Sequence, residues 1–168
     1  AKPYNAATAG SDIGIVLRTS SDANIRSVRS TVQQTYAQII SDLQTAVSLL
    51  PNTSSEKTQL SKVRPSKAAA YGMLSRVYLA MGDSIRVGLY ADSALQLYDS
   101  LMDYNTTSFF SNFNGETIYT SIDMGGTVSS SYGPWTMDTA FIGMYDNTDL
   151  RKTLFFINNS FVGGYAFI

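Results

Sequence analysis

The side chains that usually move protons or hold metals are scarce in this chain. It has no His and no Cys among its 168 residues. The commonest general base, the usual partner of a nucleophilic Ser and the commonest metal ligand are therefore missing together. Only two Glu occur, Glu56 and Glu116, and the other acids are Asp spread along the chain. An enzyme would have to run on Asp, Tyr and Lys. That leaves a carboxylate-dependent hydrolase as the enzymatic reading, and the scarcity of Glu weighs against it. The segment Asp146-Asn-Thr-Asp149 hints at a cation loop. It lacks the Gly and the closing Glu that a calcium loop needs, so turn capping is expected of it. Arg151 is expected to pair with a nearby Asp, and Glu116 to pin a loop through hydrogen bonds. No catalytic residue, metal or cofactor is expected.

The bulk properties exclude other classes. The chain is 44% hydrophobic and 15% charged, which suits a globular protein with a real core. Net charge is -1 with no dense Lys/Arg patch, so nucleic acid is not an expected partner. No apolar run approaches the roughly 20 residues of a membrane helix. No signal-peptide pattern opens the chain, and residues 161–168 read as an apolar strand cut off mid-course. An internal portion of a longer protein is expected.

The elements that must position any site fall into two halves. Residues 1–103 hold six aromatics, all Tyr, and residues 104–168 hold the other 14. The first half is rich in Ala, Leu and Ser at helical spacing. The second is rich in Gly, Ser, Thr, Asn and rings, which favours short strands and long loops. Pro3, Gly10 and Gly14 break any helix in the lead-in, where residues 13–17 suit a short extended segment. Val32, Tyr36, Ile39, Leu43, Val47 and Leu50 follow at steps of 4, 3, 4, 4 and 3, one face of an amphipathic helix capped by Ser27 or Ser30 and stopped by Pro51. Residues 52–62 read as loop. Ser66 can cap a second helix, with Tyr71, Leu74, Val77, Tyr78 and Met81 facing inward and Gly82-Asp83 ending it. A third helix is expected over about 84–102, with Val87, Ala91, Ala94, Tyr98 and Leu101 inward.

The second and third helices carry the spacing of a tetratricopeptide (TPR) repeat. Leu74, Ser75, Tyr78, Gly82, Asp83, Ala94, Leu95 and Leu97 fall at its large, small, aromatic and turn positions. Small residues matter there because helices approach closely only where side chains are short. Ser84 and Val87 depart from the pattern, and a generic helical hairpin is the alternative. The expected fold is mainly α: TPR-like hairpins packed against an irregular, loop-rich region with a few short strands. The expected divisions are a lead-in at 1–28, the helical region at 29–103 and the aromatic region at 104–168.

Several stretches resemble the SusD/RagB family. They are Lys2-Pro-Tyr-Asn5, Asp12-Ile-Gly-Ile-Val-Leu-Arg18, the run from Ser30 to Leu43 with Ala46 and Leu50-Pro51, and Arg64-Pro-Ser-Lys-Ala-Ala-Ala-Tyr71 leading into Arg76-Val-Tyr-Leu79. Asn114-Gly-Glu-Thr-Ile-Tyr119 is similar to the family's Glu-x-Ile-Phe signature, with Tyr for Phe. Residues 145–151 are similar to its Tyr-Asp…Asp-x-Arg stretch. The resemblance implies a surface-exposed lipoprotein of the bacterial outer membrane. Such a protein captures oligosaccharides or similar nutrients without catalysis and passes them to a SusC-like TonB-dependent transporter. It would touch the membrane only through a lipid anchor that this chain does not contain. The helices would be scaffold and transporter contact, and the aromatic loops would hold sugar.

A sugar offers a C–H face and a rim of hydroxyls, so its site needs a flat ring and hydrogen-bonding side chains rather than a proton shuttle. Within the resemblance, the stretch Ser129-Ser-Ser-Tyr-Gly-Pro-Trp135 supplies Trp135 and Tyr132 as ligand-binding candidates. Tyr119 and Asp138 lie near in sequence and complete the expected set. The other role open to Trp135 and Tyr132 is packing in the core of the aromatic half. The alternative function for the whole chain is a TPR scaffold that binds a protein or peptide.

Overall fold

The computed structural model describes residues 2–52, 62–107, 113–121, 136–159 and 164–167. The chain divides into two units, Ala1–Asp99 and Ser100–Ile168. The fold is mainly α.

In the first unit the lead-in forms strand β1 (Ile13–Val16), as the extended segment predicts. It pairs antiparallel with β2 (Arg29–Thr31), aligning Ile13 with Thr31 and Val16 with Arg29. The sequence predicts no strand at 29–31 and offers Ser27 or Ser30 as the helix cap. Ser30 is instead drawn into the ladder, and Thr31 caps α1 (Val32–Leu49). Thr31 Oγ1 accepts from the Gln34 amide at 3.1 Å, and Gln34 Oε1 accepts from the Thr31 amide at 3.0 Å. This reciprocal box satisfies two of the donors that every helix start leaves open. The lead-in satisfies two more: Val32 N donates to Asp12 O and Gln33 N to Ala9 O, each at 2.9 Å. Lys2 then ion-pairs with Asp12 at 2.7 Å, and the rings of Tyr4 and Tyr36 meet at 4.9 Å. The irregular start of the chain is thus bound to the beginning of α1.

The predicted face of α1 is its inner face. Val32 is buried, and Tyr36, Ile39, Leu43, Val47 and Leu50 are half-buried. Thr35 is buried as well, its hydroxyl donating to Thr31 O at 2.9 Å, a back-bond that hides its polarity. Ser66 caps α2 (Lys67–Met81), accepting from the Ala69 amide at 3.3 Å. Leu74 is fully buried on the inner face of α2, with Ala68, Ala70 and Tyr78 beside it. Gly82 ends the helix at φ 77°, a left-handed conformation that favours Gly. Asp83 then caps α3 (Ser84–Leu95) through the Arg86 amide at 3.0 Å. Ser75 Oγ reaches across the hairpin and donates to Val87 O at 3.1 Å.

Helix α3 ends at Leu95 rather than near Met102, and Leu101 is exposed rather than inward. The residues that follow are turn formers. The helix closes where the Leu97 and Tyr98 amides both donate to Ala94 O, and further on Asp103 Oδ1 accepts from the Asn105 amide at 2.9 Å in a local turn.

The second unit contains β3 (Thr136–Met137), α4 (Thr139–Gly143), α5 (Leu150–Leu154), β4 (Phe156–Asn159) and β5 (Gly164–Phe167). The strands form an antiparallel sheet in the order β3-β5-β4. Buried Ile142 and Phe156 mark its core, where Phe156 meets the rings of Tyr145 at 5.5 Å and Phe141 at 6.2 Å.

Candidate ligand-binding site

Of the four residues expected to bind ligand, two are described. Tyr119 is 48% exposed. Asp138 is also exposed and caps α4, Oδ1 accepting from the Ala140 amide at 2.8 Å. No hydrogen bond joins the two. Trp135 and Tyr132 lie outside the described residues, as does most of the loop expected at 52–62.

Tyr119 follows a short, heavily bonded turn at residues 114–117. Asn114 Oδ1 accepts from the amides of Glu116 at 2.9 Å and Thr117 at 3.1 Å, and from Thr117 Oγ1 at 3.2 Å. Glu116 fastens this turn to the chain before it. Its Oε1 accepts from the Met102 amide at 3.0 Å and its Oε2 from the Tyr104 hydroxyl at 3.3 Å. The loop-pinning role expected of Glu116 is what the geometry gives it. Burial pushes the Tyr104 phenol above its ordinary pKa, and the Glu116 charge adds to the rise. The Tyr104 ring meets Phe155 edge-on at 6.2 Å.

The Asp-rich stretch also caps turns. Asp146 Oδ1 accepts from the Thr148 amide and hydroxyl, and those bonds, the amide first, hold its carboxyl below the usual range. Asp149 caps α5 and takes a forked contact from Arg151, with Nη2 at 2.6 Å and Nε at 3.0 Å. That guanidinium, and then the Arg151 amide, depress the Asp149 pKa. Arg151 also lies over the Tyr145 ring at 5.5 Å. Among the described residues no three acidic side chains gather as a metal site.

A polar hollow of about 360 Å³ is lined by Gly143, Met144, Tyr145, Asp146, Asn147 and Lys152. Lys152 Nζ donates to Asn147 Oδ1 at 2.8 Å across it. Asn147 belongs to the stretch expected to cap turns, whereas nothing in the sequence marks Lys152 beyond its place five residues on, across a turn and a helix start. Among the described residues, the second unit offers the exposed rings of Tyr119 and Phe141 together with exposed amide and carboxylate side chains.

Residues 3–79 match the family model for SusD-like proteins described as "Starch-binding associating with outer membrane". Within those residues the chain is similar to the SusD-like family. The SusD-like segment takes in the lead-in, both strands of the first sheet, α1 and most of α2, and it ends before every residue of the candidate site. A solved structure of a SusD superfamily protein from Bacteroides thetaiotaomicron VPI-5482 is 33% identical over 57% of this chain, with a TM-score of 0.49. The match covers 20% of that protein's length. No curated protein matches the chain. Among the described residues no helix is long and apolar enough to cross a membrane.

Proposed function

We propose that this chain is part of a non-catalytic protein that captures oligosaccharide at the bacterial outer-membrane surface and delivers it to a SusC-like TonB-dependent transporter. The observation that carries this reading is the match of residues 3–79 to a family described as starch-binding and associated with the outer membrane. The chemistry of the second unit agrees with it. Tyr119 offers an exposed ring, and Asn147, Lys152 and Asp138 offer rim partners for hydroxyls. Trp135 and Tyr132 remain the main platform in this proposal.

The helical unit has a separate part in it. Leu79, Ile85 and Leu89 are 67%, 84% and 61% exposed, and such side chains suit contact with another protein. We assign that contact to the transporter, with the TPR-like hairpin as its scaffold.

Calorimetric titration with a linear α-1,4-glucan such as maltoheptaose tests the capture role. Saturable binding that Trp135→Ala weakens at least about tenfold is the expected result. Undiminished binding in that variant removes Trp135 from the site. Release of shortened products from a polysaccharide panel would replace capture by hydrolysis.

A further inference from the structure

Glu116 is half-buried, and its two carboxylate oxygens take donors from one earlier segment, Met102 N at 3.0 Å and the Tyr104 hydroxyl at 3.3 Å. The turn it belongs to is already closed from within by three bonds to Asn114 Oδ1. The two segments also touch closely at Gly115, where an added Cβ would come within 3.4 Å of both Met102 Cγ and Ser100 Oγ. Tyr104 extends the connection to Phe155 at the end of α5. Glu116 therefore ties residues 114–117 to residues 102–104, and Tyr119, about half exposed, follows two residues after that turn.

A ring on a surface loop binds well when its backbone is fixed beforehand. Otherwise the ordering cost is subtracted from the affinity at the moment of binding. We propose that Glu116 is a positioning residue for recognition: its clasp on Met102 and Tyr104 holds the 114–117 turn so that the Tyr119 ring is presented ready to stack on a sugar. This rests on the capture role proposed above. Carboxylate geometry suits the task because one group can accept from two donors that differ in kind and direction.

The test uses the 168-residue chain with two readouts, amide exchange at residues 114–119 and affinity for maltoheptaose. In Glu116→Ala the exchange should quicken about tenfold and the affinity fall about tenfold. Glu116→Gln should keep both within about threefold of the native chain. Its carbonyl still accepts from Met102 N, and its amide can donate to the Tyr104 oxygen. Tyr104→Phe removes one clasp bond and should give intermediate values, so the idea stays testable even where Glu116→Ala unfolds the unit. Tyr119→Ala should weaken binding as much as Glu116→Ala while exchange at 114–117 stays native. Unchanged exchange in Glu116→Ala, or equal damage from Gln and Ala, overturns the proposal. Faster exchange with unchanged affinity also overturns it and leaves glycan capture standing. Failure of the native chain to bind any saccharide removes the capture role itself.

Discussion

Tyr78 and Tyr90 stack across the α2–α3 hairpin, with ring centroids 5.4 Å apart and ring planes within 4° of parallel. Tyr71 extends the stack from Tyr90 at 6.1 Å, and the Arg86 guanidinium lies 5.1 Å from the Tyr78 ring centroid. Tyr78 is buried, so its ring joins the apolar interior to this polarizable ladder. Offset aromatic pairs contribute beyond the area they bury.

A double-mutant cycle of Tyr78→Leu and Tyr90→Leu isolates that contribution. The expected coupling is about 1 kcal/mol in urea unfolding. Additive single effects would mean that the rings act only through buried area.

Gly14 is the tightest glycine in the first unit. A Cβ there would collide with Thr35 Oγ1 and lie 2.6 Å from Thr31 O, a backbone atom that cannot swing away. Gly14→Ala should therefore destabilise the chain by about 1–3 kcal/mol through forced separation of β1 from the start of α1. The denaturation midpoint measures this. Gly72, which meets nothing within 4 Å, is the control on α2, where Ala should instead stabilise by up to about 1 kcal/mol.

Acid should loosen the lead-in. The Lys2 ammonium hydrogen bond, and then the Thr8 hydroxyl, hold the Asp12 carboxyl below its ordinary value of 3.8. The folded state then binds fewer protons than the unfolded state in this range. The stabilisation is fully present above 3.8 and is lost as pH falls through the lower folded value. Asp103, Asp146 and Asp149 are shifted in the same direction by hydrogen bonds to Asn105, Thr148 and Arg151. The thermal midpoint should hold steady between about pH 5 and 7 and fall below about pH 4. Asp12→Asn should show a shallower acid fall. Because the Lys2 side chain is 71% exposed, added salt should reduce the difference between the two chains. A native acid limb in Asp12→Asn would show that the lead-in contact contributes nothing.

Local chemistry made much of the helical unit legible. The inner face of α1 follows from apolar spacing alone. The Ser66 cap follows from the preference of Ser for that position, and the turn at Gly82 from glycine's tolerance of positive φ. Strand β2 was not legible, because three residues become a strand only by pairing with β1 earlier in the chain. That pairing also decides that Thr31, and not Ser30, caps α1. The early end of α3 was hidden because Leu97, Tyr98 and Leu101 continue the helical spacing, while the folded chain closes the helix with the Leu97 and Tyr98 amides on Ala94 O. In the second unit, Glu116 could be read as a loop pin from its type and setting. Its partners, Met102 and Tyr104, are fixed only by the folded chain. The cap that Asp138 forms on α4 was likewise visible only in the folded chain.

Gly82 isolates backbone conformation from packing. It sits at φ 77° and ψ 16°, and an added Cβ would meet nothing within 4 Å. Its amide donates to Leu79 O at 3.0 Å, and the Asp83 amide donates to Tyr78 O at 3.0 Å, closing α2 before Asp83 opens α3. Any cost of substitution is thus the cost of holding an L-residue in the left-handed region. Gly82→Ala should lose about 1 kcal/mol, and Gly82→Asn clearly less, because Asn tolerates that conformation better. Equal losses for Ala and Asn in urea unfolding would mean that the turn changes shape to accept a side chain. An α2–α3 hairpin that tolerated this freely would not depend on Gly82 to set the angle at which Tyr78 meets Tyr90.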